Sequence, residues 1–133
     1  MKEYNGDIIQ YRRERAWEAL DEAELMAKTD HWNTCVNRLY YACFYIVSAL
    51  LEKNGYSSSK DTGIRSLFNV HFVKSGLISK NLAAIYSDLF ERRQESDYGD
   101  FFTFEKADVV PWIEDTKRFV AELDRHFETG TVE

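Results

Sequence analysis

Apolar residues recur along this chain at intervals of three and four positions, which is the spacing of one face of an α-helix. Two long segments of this kind come first, over residues 7–28 and 32–54. Thr29 or Asp30 is expected to cap the start of the second segment. That segment is apolar nearly all round in its second half, which predicts the central helix of a bundle.

Three further helices are predicted after a link of three serines. A short one covers residues 62–74 and ends at Gly76. Ser79 is placed to cap the next helix, whose periodicity fades at residues 96–99. The pattern therefore predicts four long helices and one short one.

The last helix starts between residues 105 and 110 and runs to about residue 127. Pro111 fits best in its first turn, where a missing amide proton costs little, and the alternative is a kink at that point. A loop with three aromatic residues precedes this helix: Phe101, Phe102 and Phe104. We expect them to cover one end of the bundle or to contact a second subunit.

The composition favours a single helical domain over residues 1–133. With 44% hydrophobic residues, one proline and six glycines, a chain of this length can bury a substantial core. We expect that core over about residues 7–127 and a frayed tail over residues 128–133. No apolar run reaches the roughly 18 residues of a membrane-spanning helix, and the N-terminus lacks a signal-peptide pattern. A cytoplasmic protein with no membrane partner is predicted.

Charge and cysteine spacing argue against several classes of function. The net charge of −6 opposes broad attraction to nucleic acid, although it is compatible with a local basic cleft. Cys35 and Cys43 would lie about 12 Å apart on one helix, too far for a disulfide, and are interpreted as small buried residues. The sequence has neither a CxxC pair nor the Glu-x-x-His pairs of a di-iron bundle. No metal and no cofactor are expected.

One segment of the second helix resembles a known signature. Residues 37–45 read N-R-L-Y-Y-A-C-F-Y and resemble the N-R-x-Y-Y-A-x-F-Y signature of small stand-alone HEPN proteins. Three further stretches resemble that family in the same order: residues 63–68, 71–76 and 92–98. The resemblance extends over about residues 15–125, and the joint order and spacing of the stretches make it specific.

The resemblance implies an up-and-down four-helix bundle with an added short helix, paired as a homodimer. Such proteins are often encoded beside a minimal nucleotidyltransferase, as two halves of a toxin–antitoxin or related defence pair. RNA, a nucleotide or that nucleotidyltransferase is therefore the expected partner. Many HEPN domains are metal-independent ribonucleases. Their mark is an arginine and a histidine with four to six residues between them, often followed by a tyrosine, near the end of a late helix.

Arg92, Asp97 and Tyr98 match that ribonuclease motif except for its histidine. Cleavage through the RNA 2′-hydroxyl needs a proton acceptor and a proton donor, and histidine, with a pKa of about 6.5, can be either. An aspartate with a pKa of about 3.9 is ionised at neutral pH. We therefore predict a degenerate catalytic pair, Arg92 and Asp97, with weak or absent activity. The alternative is an active endoribonuclease toxin that uses Arg92 with another proton carrier.

The same motif also allows a structural or a ligand-binding interpretation. Arg92 or Arg93 can form an ion pair with Asp97 while Tyr98 packs on a neighbouring helix. Alternatively, the group can bind an RNA backbone or a nucleotide.

Arg38 would be costly to leave unpaired in so apolar a helix. It is expected to reach a carboxylate (Asp97, Glu95 or Asp61) or to line a cleft. Our hypothesis is a polar pocket in which Arg38, Arg92 and Asp97 meet, and the alternative is a buried salt bridge that fixes helix register. The predicted binding residues are Asn37, Arg38, Arg92, Arg93 and Tyr98.

Two other patterns are interpreted as structural. Arg65 and His71 have five residues between them, but on a regular helix they would point to different faces. A cluster of aromatic residues in the second helix has helical spacing, which favours core packing or a dimer seam over base stacking: Tyr40, Tyr41, Phe44 and Tyr45.

Overall fold

The computed structural model describes residues 6–98 and 102–129, apart from the side chains of residues 97, 98, 128 and 129. Within these ranges the α-helices are α1 (Gly6–Lys28), α2 (Trp32–Lys53), α3 (Asp61–Phe68), α4 (Lys80–Tyr98) and α5 (Lys106–Thr129). A π-helical turn, Asn69–Val73, continues α3. The described residues contain no strand, so the all-α prediction is confirmed. Phe101 and residues 130–133 of the predicted tail lie outside the described residues.

The central helix of the bundle is α2, as its sequence predicts. It packs against α1, α3, α4 and α5 and is buried along most of the stretch from Cys35 to Leu51. By length and composition α2 could also cross a membrane, but 67% of its most apolar stretch is buried inside the bundle. Contacts with its neighbours therefore account for its apolar character. The four long helices form the bundle, and α3 is the additional short helix.

Small residues fill part of the interior beside α2. Ala16, Ala19 and Ala23 of α1 are fully buried, and α1 packs along α2. Cys35 and Cys43 are buried free thiols, which confirms their interpretation as small core residues. Burial raises the pKa of the Cys35 thiol to about 11, because the thiolate would lose its hydration.

The link between α1 and α2 differs from its prediction. The residue before α2 is His31, which makes no side-chain cap, so Thr29 and Asp30 do not cap this helix. The Thr29 hydroxyl instead donates to two carbonyls near the end of α1, and Asp30 adopts a left-handed φ of 62°. Both residues are thus used to end α1 and to reverse the chain. Ser79 does cap α4 as predicted, since its Oγ accepts from the Leu82 N–H at 3.1 Å.

The third predicted helix is divided into two geometries. After α3 ends at Phe68, the π-helical turn is closed by a hydrogen bond of 2.9 Å from the Lys74 N–H to the Asn69 carbonyl. Phe68 and Phe72 are both buried, with ring centroids 6.0 Å apart, so the predicted apolar stripe is kept across the change. Gly76 ends the segment with a φ of 87°, a conformation that glycine adopts without strain.

The segment before α5 closes one end of the bundle. Phe104 is buried and meets Trp112 edge-on, with ring centroids 5.5 Å apart. Asn33, near the start of α2, holds this segment through two hydrogen bonds. Its Nδ2 donates to the Phe102 carbonyl at 2.8 Å, and its Oδ1 accepts from the Phe104 N–H at 2.9 Å. The expected covering role is confirmed for Phe104.

Pro111 lies in the second turn of α5, so the prediction of a first-turn position is wrong. The helix begins at Lys106, because the preceding Glu105 carbonyl accepts its first hydrogen bonds. A proline at the sixth position removes the N–H donor that would otherwise reach the Ala107 carbonyl. Ala107 and Pro111 are both exposed, so water can satisfy that carbonyl.

Candidate functional site

Arg93 lies at the centre of the candidate site. Its guanidinium carbon is 4.6 Å from the ring centroid of Tyr40 and 5.6 Å from that of Tyr41. One nitrogen of the guanidinium is 3.8 Å from Asp61 Oδ2, and the Tyr40 hydroxyl donates to the same oxygen at 3.1 Å. These contacts join α2, α3 and α4. With Arg38 they form what we call the arginine–aromatic cluster: Arg38, Tyr40, Tyr41, Asp61 and Arg93.

Tyr40 is the buried member of the cluster, with an exposed fraction of 0%. Burial, and then the Asp61 carboxylate, raise the pKa of Tyr40 well above its ordinary value, because both disfavour the phenolate. Tyr40 therefore stays a neutral hydrogen-bond donor at physiological pH. It does not provide the proton acceptor that ribonuclease chemistry needs.

Among the described side chains, Arg38 reaches the carboxylate of Glu22, and not the predicted Glu95 or Asp61. Its Nη1 donates to Glu22 Oε1 at 3.0 Å, and its Nε and Nη2 donate to Asn37 Oδ1 at 3.1 and 2.9 Å. The sequence did not indicate this partner, because Glu22 lies on α1 and only helix packing brings α1 beside this turn of α2. Arg38 also stacks on Tyr41, with its guanidinium carbon 5.2 Å from the ring centroid. Its charge is balanced, and it forms a half-buried bridge between α1 and α2.

Arg92 stacks on α5. Its guanidinium carbon is 4.0 Å from the ring centroid of Trp112. Within the described part of the chain it has no hydrogen bond and no ion pair. The stacked plane fixes the direction of the guanidinium and leaves its nitrogen donors available to a ligand.

The predicted pair of Arg92 and Asp97 lies on one continuous helix, because α4 runs to Tyr98, past the point where periodicity fades. At 3.6 residues per turn, position 97 is rotated about 140° from position 92 and only about 40° from position 93. The backbone therefore places Asp97 on the same side of α4 as Arg93. The side chains of Asp97 and Tyr98 lie outside the described residues, so the pocket of Arg38, Arg92 and Asp97 stays a prediction.

Arg65 and His71 contact different neighbours, as predicted from their separation. Arg65 stacks on Phe90, with its guanidinium carbon 3.9 Å from the ring centroid, and the His71 ring stacks on Tyr56 at 4.0 Å. Arg65 lies one turn after Asp61 on α3, which places it beside the arginine–aromatic cluster. The sequence does not indicate that Arg65 lies beside this cluster, because no local pattern relates α3 to Phe90 on α4.

The aromatic residues of α2 divide between the core and the surface. Tyr40 stacks on Tyr86 with ring centroids 6.0 Å apart, which confirms core packing for this residue. The other three form a half-buried aromatic face: Tyr41, Phe44 and Tyr45. Arg15 of α1 stacks on the last of these, with its guanidinium carbon 5.0 Å from the ring centroid.

The chemistry available at the candidate site is therefore that of fixed cations, a neutral phenol and aromatic faces. Such groups bind phosphates and stack on bases. In the described part of the chain, no group of three or more histidine, cysteine, aspartate or glutamate side chains is placed to hold a metal ion.

Comparison with known proteins identifies the family. The model of the HEPN domain matches residues 9–126. A UPF0332 protein of Thermotoga maritima is 43% identical over 121 residues, which cover 91% of this chain and 92% of that protein. A protein of Methanocaldococcus jannaschii, named as a candidate toxin, is 26% identical over 107 residues, which cover 76% of this chain and 73% of that protein. Since the match covers nearly the whole sequence, the chain belongs to the HEPN domain family.

Proposed function

We propose that this chain is the HEPN component of a toxin–antitoxin-like pair, and that it binds an RNA strand in the cytoplasm without cutting it. The observation that carries this proposal is the Arg92 guanidinium, which stacks on Trp112 with no carboxylate beside it in the described part of the chain. Arg92 binds a backbone phosphate, and the exposed edge of this stack receives a base.

The distribution of charge supports a phosphate at this position. Arg38 is balanced by Glu22 and Arg93 by Asp61, whereas Arg92 and Arg65 have no acidic partner among the described side chains. The surface is therefore locally cationic although the net charge of the chain is −6. A planar guanidinium held in place loses little freedom when it binds a phosphate oxygen pair.

The proposed absence of cleavage follows from the proton chemistry of the same region. The motif carries Asp97 where histidine would stand, and an ordinary aspartate is ionised at neutral pH. Tyr40 is held neutral, and the His71 ring is stacked on Tyr56. With an aspartate in place of a group that both accepts and donates a proton, general acid–base help worth about 10²–10⁴ in rate is lost at this position of the motif.

In this proposal the protein works as a homodimer with a nucleotidyltransferase as its second partner. The half-buried aromatic face of α2 offers an apolar centre, and both signs of charge flank it through Arg15, Glu18 and Glu22. Such a mixed surface can be complementary to a second copy of itself related by a twofold axis. The relative named as a candidate toxin supports the paired system.

The test measures binding and cleavage of one fluorescent single-stranded RNA in excess EDTA. Fluorescence anisotropy compares the wild type with Arg92→Gln, and Arg118→Gln is the matched control, since Arg118 lies on α5 and is 63% exposed. Loss of one phosphate contact should weaken binding about tenfold and reduce the salt dependence by about one released counterion. The control should bind like the wild type.

Two results would overturn the proposal. Equal binding by wild type and Arg92→Gln would remove Arg92 from the site. Cleavage by the wild type in EDTA that disappears in Arg92→Ala would instead establish a metal-independent endoribonuclease. A gain of cleavage in Asp97→His, from an inactive wild type, would support the proposal, because the site would then lack only its acid–base residue.

A further inference from the structure

A polar cavity lies beside α2, and no residue of the ribonuclease-like motif lines it. It has a volume of about 210 Å³ and is lined by α1, α2, the link between α2 and α3, and Ile64 of α3. Its lining combines one cation, hydroxyl groups and aromatic rings: Arg12, Phe44, Tyr45, Ser48, Tyr56 and Ser57. No carboxylate is part of the lining, so its hydrogen-bond donors, the Arg12 guanidinium and the hydroxyl groups, suit the oxygen atoms of an anionic ligand.

Ser48 provides a hydroxyl that is open to the cavity and has no protein partner in the described part of the chain. The residue is only 4% exposed and lines the cavity, but its hydroxyl makes no hydrogen bond in the described part of the chain. The Thr116 hydroxyl, also on a buried residue of the core, donates to the Trp112 carbonyl at 2.7 Å. The Ser48 hydroxyl has no such acceptor among the described residues and is therefore available to a molecule in the cavity.

Arg12 provides donors in the same cavity. Its nearest carboxylate oxygen is Glu52 Oε1, 3.7 Å from Nη1, which is beyond hydrogen-bond distance. Among the described residues Arg12 makes no hydrogen bond, and its side chain is 33% exposed. Glu52 thus balances the charge of Arg12, as Asp61 does for Arg93, but it accepts no hydrogen bond from the guanidinium, whose N–H donors can reach a ligand.

The serine link forms a fixed rim. Ser58 Oγ accepts from the Lys60 N–H at 3.2 Å, and the link lies so close to α3 that a Cβ on Gly63 would collide with the Ser58 side chain. The neighbouring Ser57 has no hydrogen bond to the described residues. Its hydroxyl and amide are therefore held at the rim with no protein acceptor or donor.

The aromatic wall is also held in position. Tyr56 stacks on His71 with an interplanar angle of 13°, and the Tyr45 ring is covered by Arg15. Phe44, which also belongs to the half-buried aromatic face of α2, completes the apolar side, so the cavity adjoins the proposed dimer face. Rings fixed in this way present a rigid surface to the carbon skeleton of a ligand, so little ordering is needed on binding.

We propose that this cavity binds a phosphate monoester carried on a pentose-sized group. The phosphate contacts Arg12, Ser48 and Ser57, and the sugar lies against Phe44 and Tyr56. A volume of about 210 Å³ is below the roughly 300–1,000 Å³ of pockets that enclose drug-sized ligands, so a base attached to the sugar extends out of the cavity. Two sources carry this chemistry: a free sugar or nucleoside phosphate, and the phosphorylated end of an RNA strand.

The test titrates the full chain calorimetrically with ribose 5-phosphate and with ribose. We expect binding of the phosphorylated sugar alone, weakened at least about tenfold in Arg12→Gln and in Ser48→Ala, since each removes a donor to the phosphate. Arg118→Gln and Ser87→Ala are the matched controls, because neither Arg118 nor Ser87, a partly exposed serine of α4, lines the cavity. Circular dichroism with thermal unfolding verifies the fold of every variant. The proposal is overturned if ribose 5-phosphate does not bind to the wild type. It is also overturned if the Arg12→Gln and Ser48→Ala variants bind ribose 5-phosphate as tightly as the wild type does.

A second titration distinguishes the two sources. The affinity of the chain is measured for three forms of one short RNA: with a 5′-phosphate, with a 3′-phosphate and with no terminal phosphate. Each titration is done without ribose 5-phosphate and again with a saturating concentration of it. Preference for a phosphorylated end that ribose 5-phosphate competes away assigns the cavity to RNA ends. No preference, together with binding of ribose 5-phosphate, assigns it to a free metabolite. Arg92→Gln should leave ribose 5-phosphate binding unchanged, so the outcome is separable from that of the proposed RNA surface.

Discussion

Two buried tyrosines differ in one respect: the hydroxyl of one makes a hydrogen bond and the hydroxyl of the other does not. Their contributions to the free energy of unfolding can therefore be compared. Tyr40 and Tyr86 stack with ring centroids 6.0 Å apart, and their exposed fractions are 0% and 1%. The Tyr40 hydroxyl donates to Asp61 Oδ2 at 3.1 Å. The Tyr86 hydroxyl is buried and has no hydrogen-bond partner in the described part of the chain. Replacing either residue with phenylalanine keeps the ring and removes only the hydroxyl.

The two substitutions should change the free energy of unfolding in opposite directions. A hydrogen bond to a charged acceptor contributes about 1.5–3 kcal/mol. Because the Asp61 side chain is 37% exposed, water replaces part of the lost contact, and Tyr40→Phe should cost about 1–2 kcal/mol. An unsatisfied buried hydroxyl costs about 1–3 kcal/mol, so Tyr86→Phe should stabilise the protein by about 1 kcal/mol.

Urea unfolding at pH 7 gives both free energies, and thermal unfolding gives an independent check. For a chain of this length, 1 kcal/mol corresponds to a change of about 3–5 °C in Tm, so the two variants should lie on opposite sides of the wild type. If Tyr86→Phe lowers the stability as much as Tyr40→Phe, the Tyr86 hydroxyl has a partner in solution and the reasoning is refuted.

Three further predictions concern other contacts of the fold. Asn33→Ala removes both hydrogen bonds to the segment before α5 and should lower the free energy of unfolding by about 2 kcal/mol. It should also accelerate hydrogen exchange at the Phe104 amide, and unchanged exchange would show that Asn33 does not hold this segment. Because burial raises the pKa of Cys35 from 9.0 to about 11, the unfolded chain ionises first, and the free energy of unfolding should fall as the pH rises from about 9 to 11. Cys35→Ala should flatten this decline in urea titrations under reducing conditions, and an identical decline in both proteins would rule out this thiol as its source. Gly63→Ala introduces a Cβ against Ser58 and should destabilise by about 1–2 kcal/mol; adding Ser58→Gly should restore much of that loss in thermal unfolding, and no recovery would show that the contact is not the cause.

The sequence by itself determined the helices and the identity of the residues in the motif. Each predicted helical segment is present, because the spacing of apolar residues reports which face of a helix is buried whatever packs against it. The burial of Cys35 and Cys43 was also predicted, because their spacing on one helix excludes a disulfide between them and the sequence has no CxxC pair. The replacement of histidine by Asp97 is likewise read directly from the chain, and it carries the expectation of weak or absent cleavage.

Only the tertiary structure decided which side chains meet. Arg38 pairs with Glu22 on α1 and Arg92 stacks on Trp112 of α5, and neither contact corresponds to a local spacing. Such partners depend on the rotation and relative height of neighbouring helices, which the packing of the whole core sets. The cavity beside Arg12 has the same origin, because α1, α2 and the serine link enclose it jointly. Periodicity identifies the buried face of each helix, but the contacts between helices are a property of the assembled bundle.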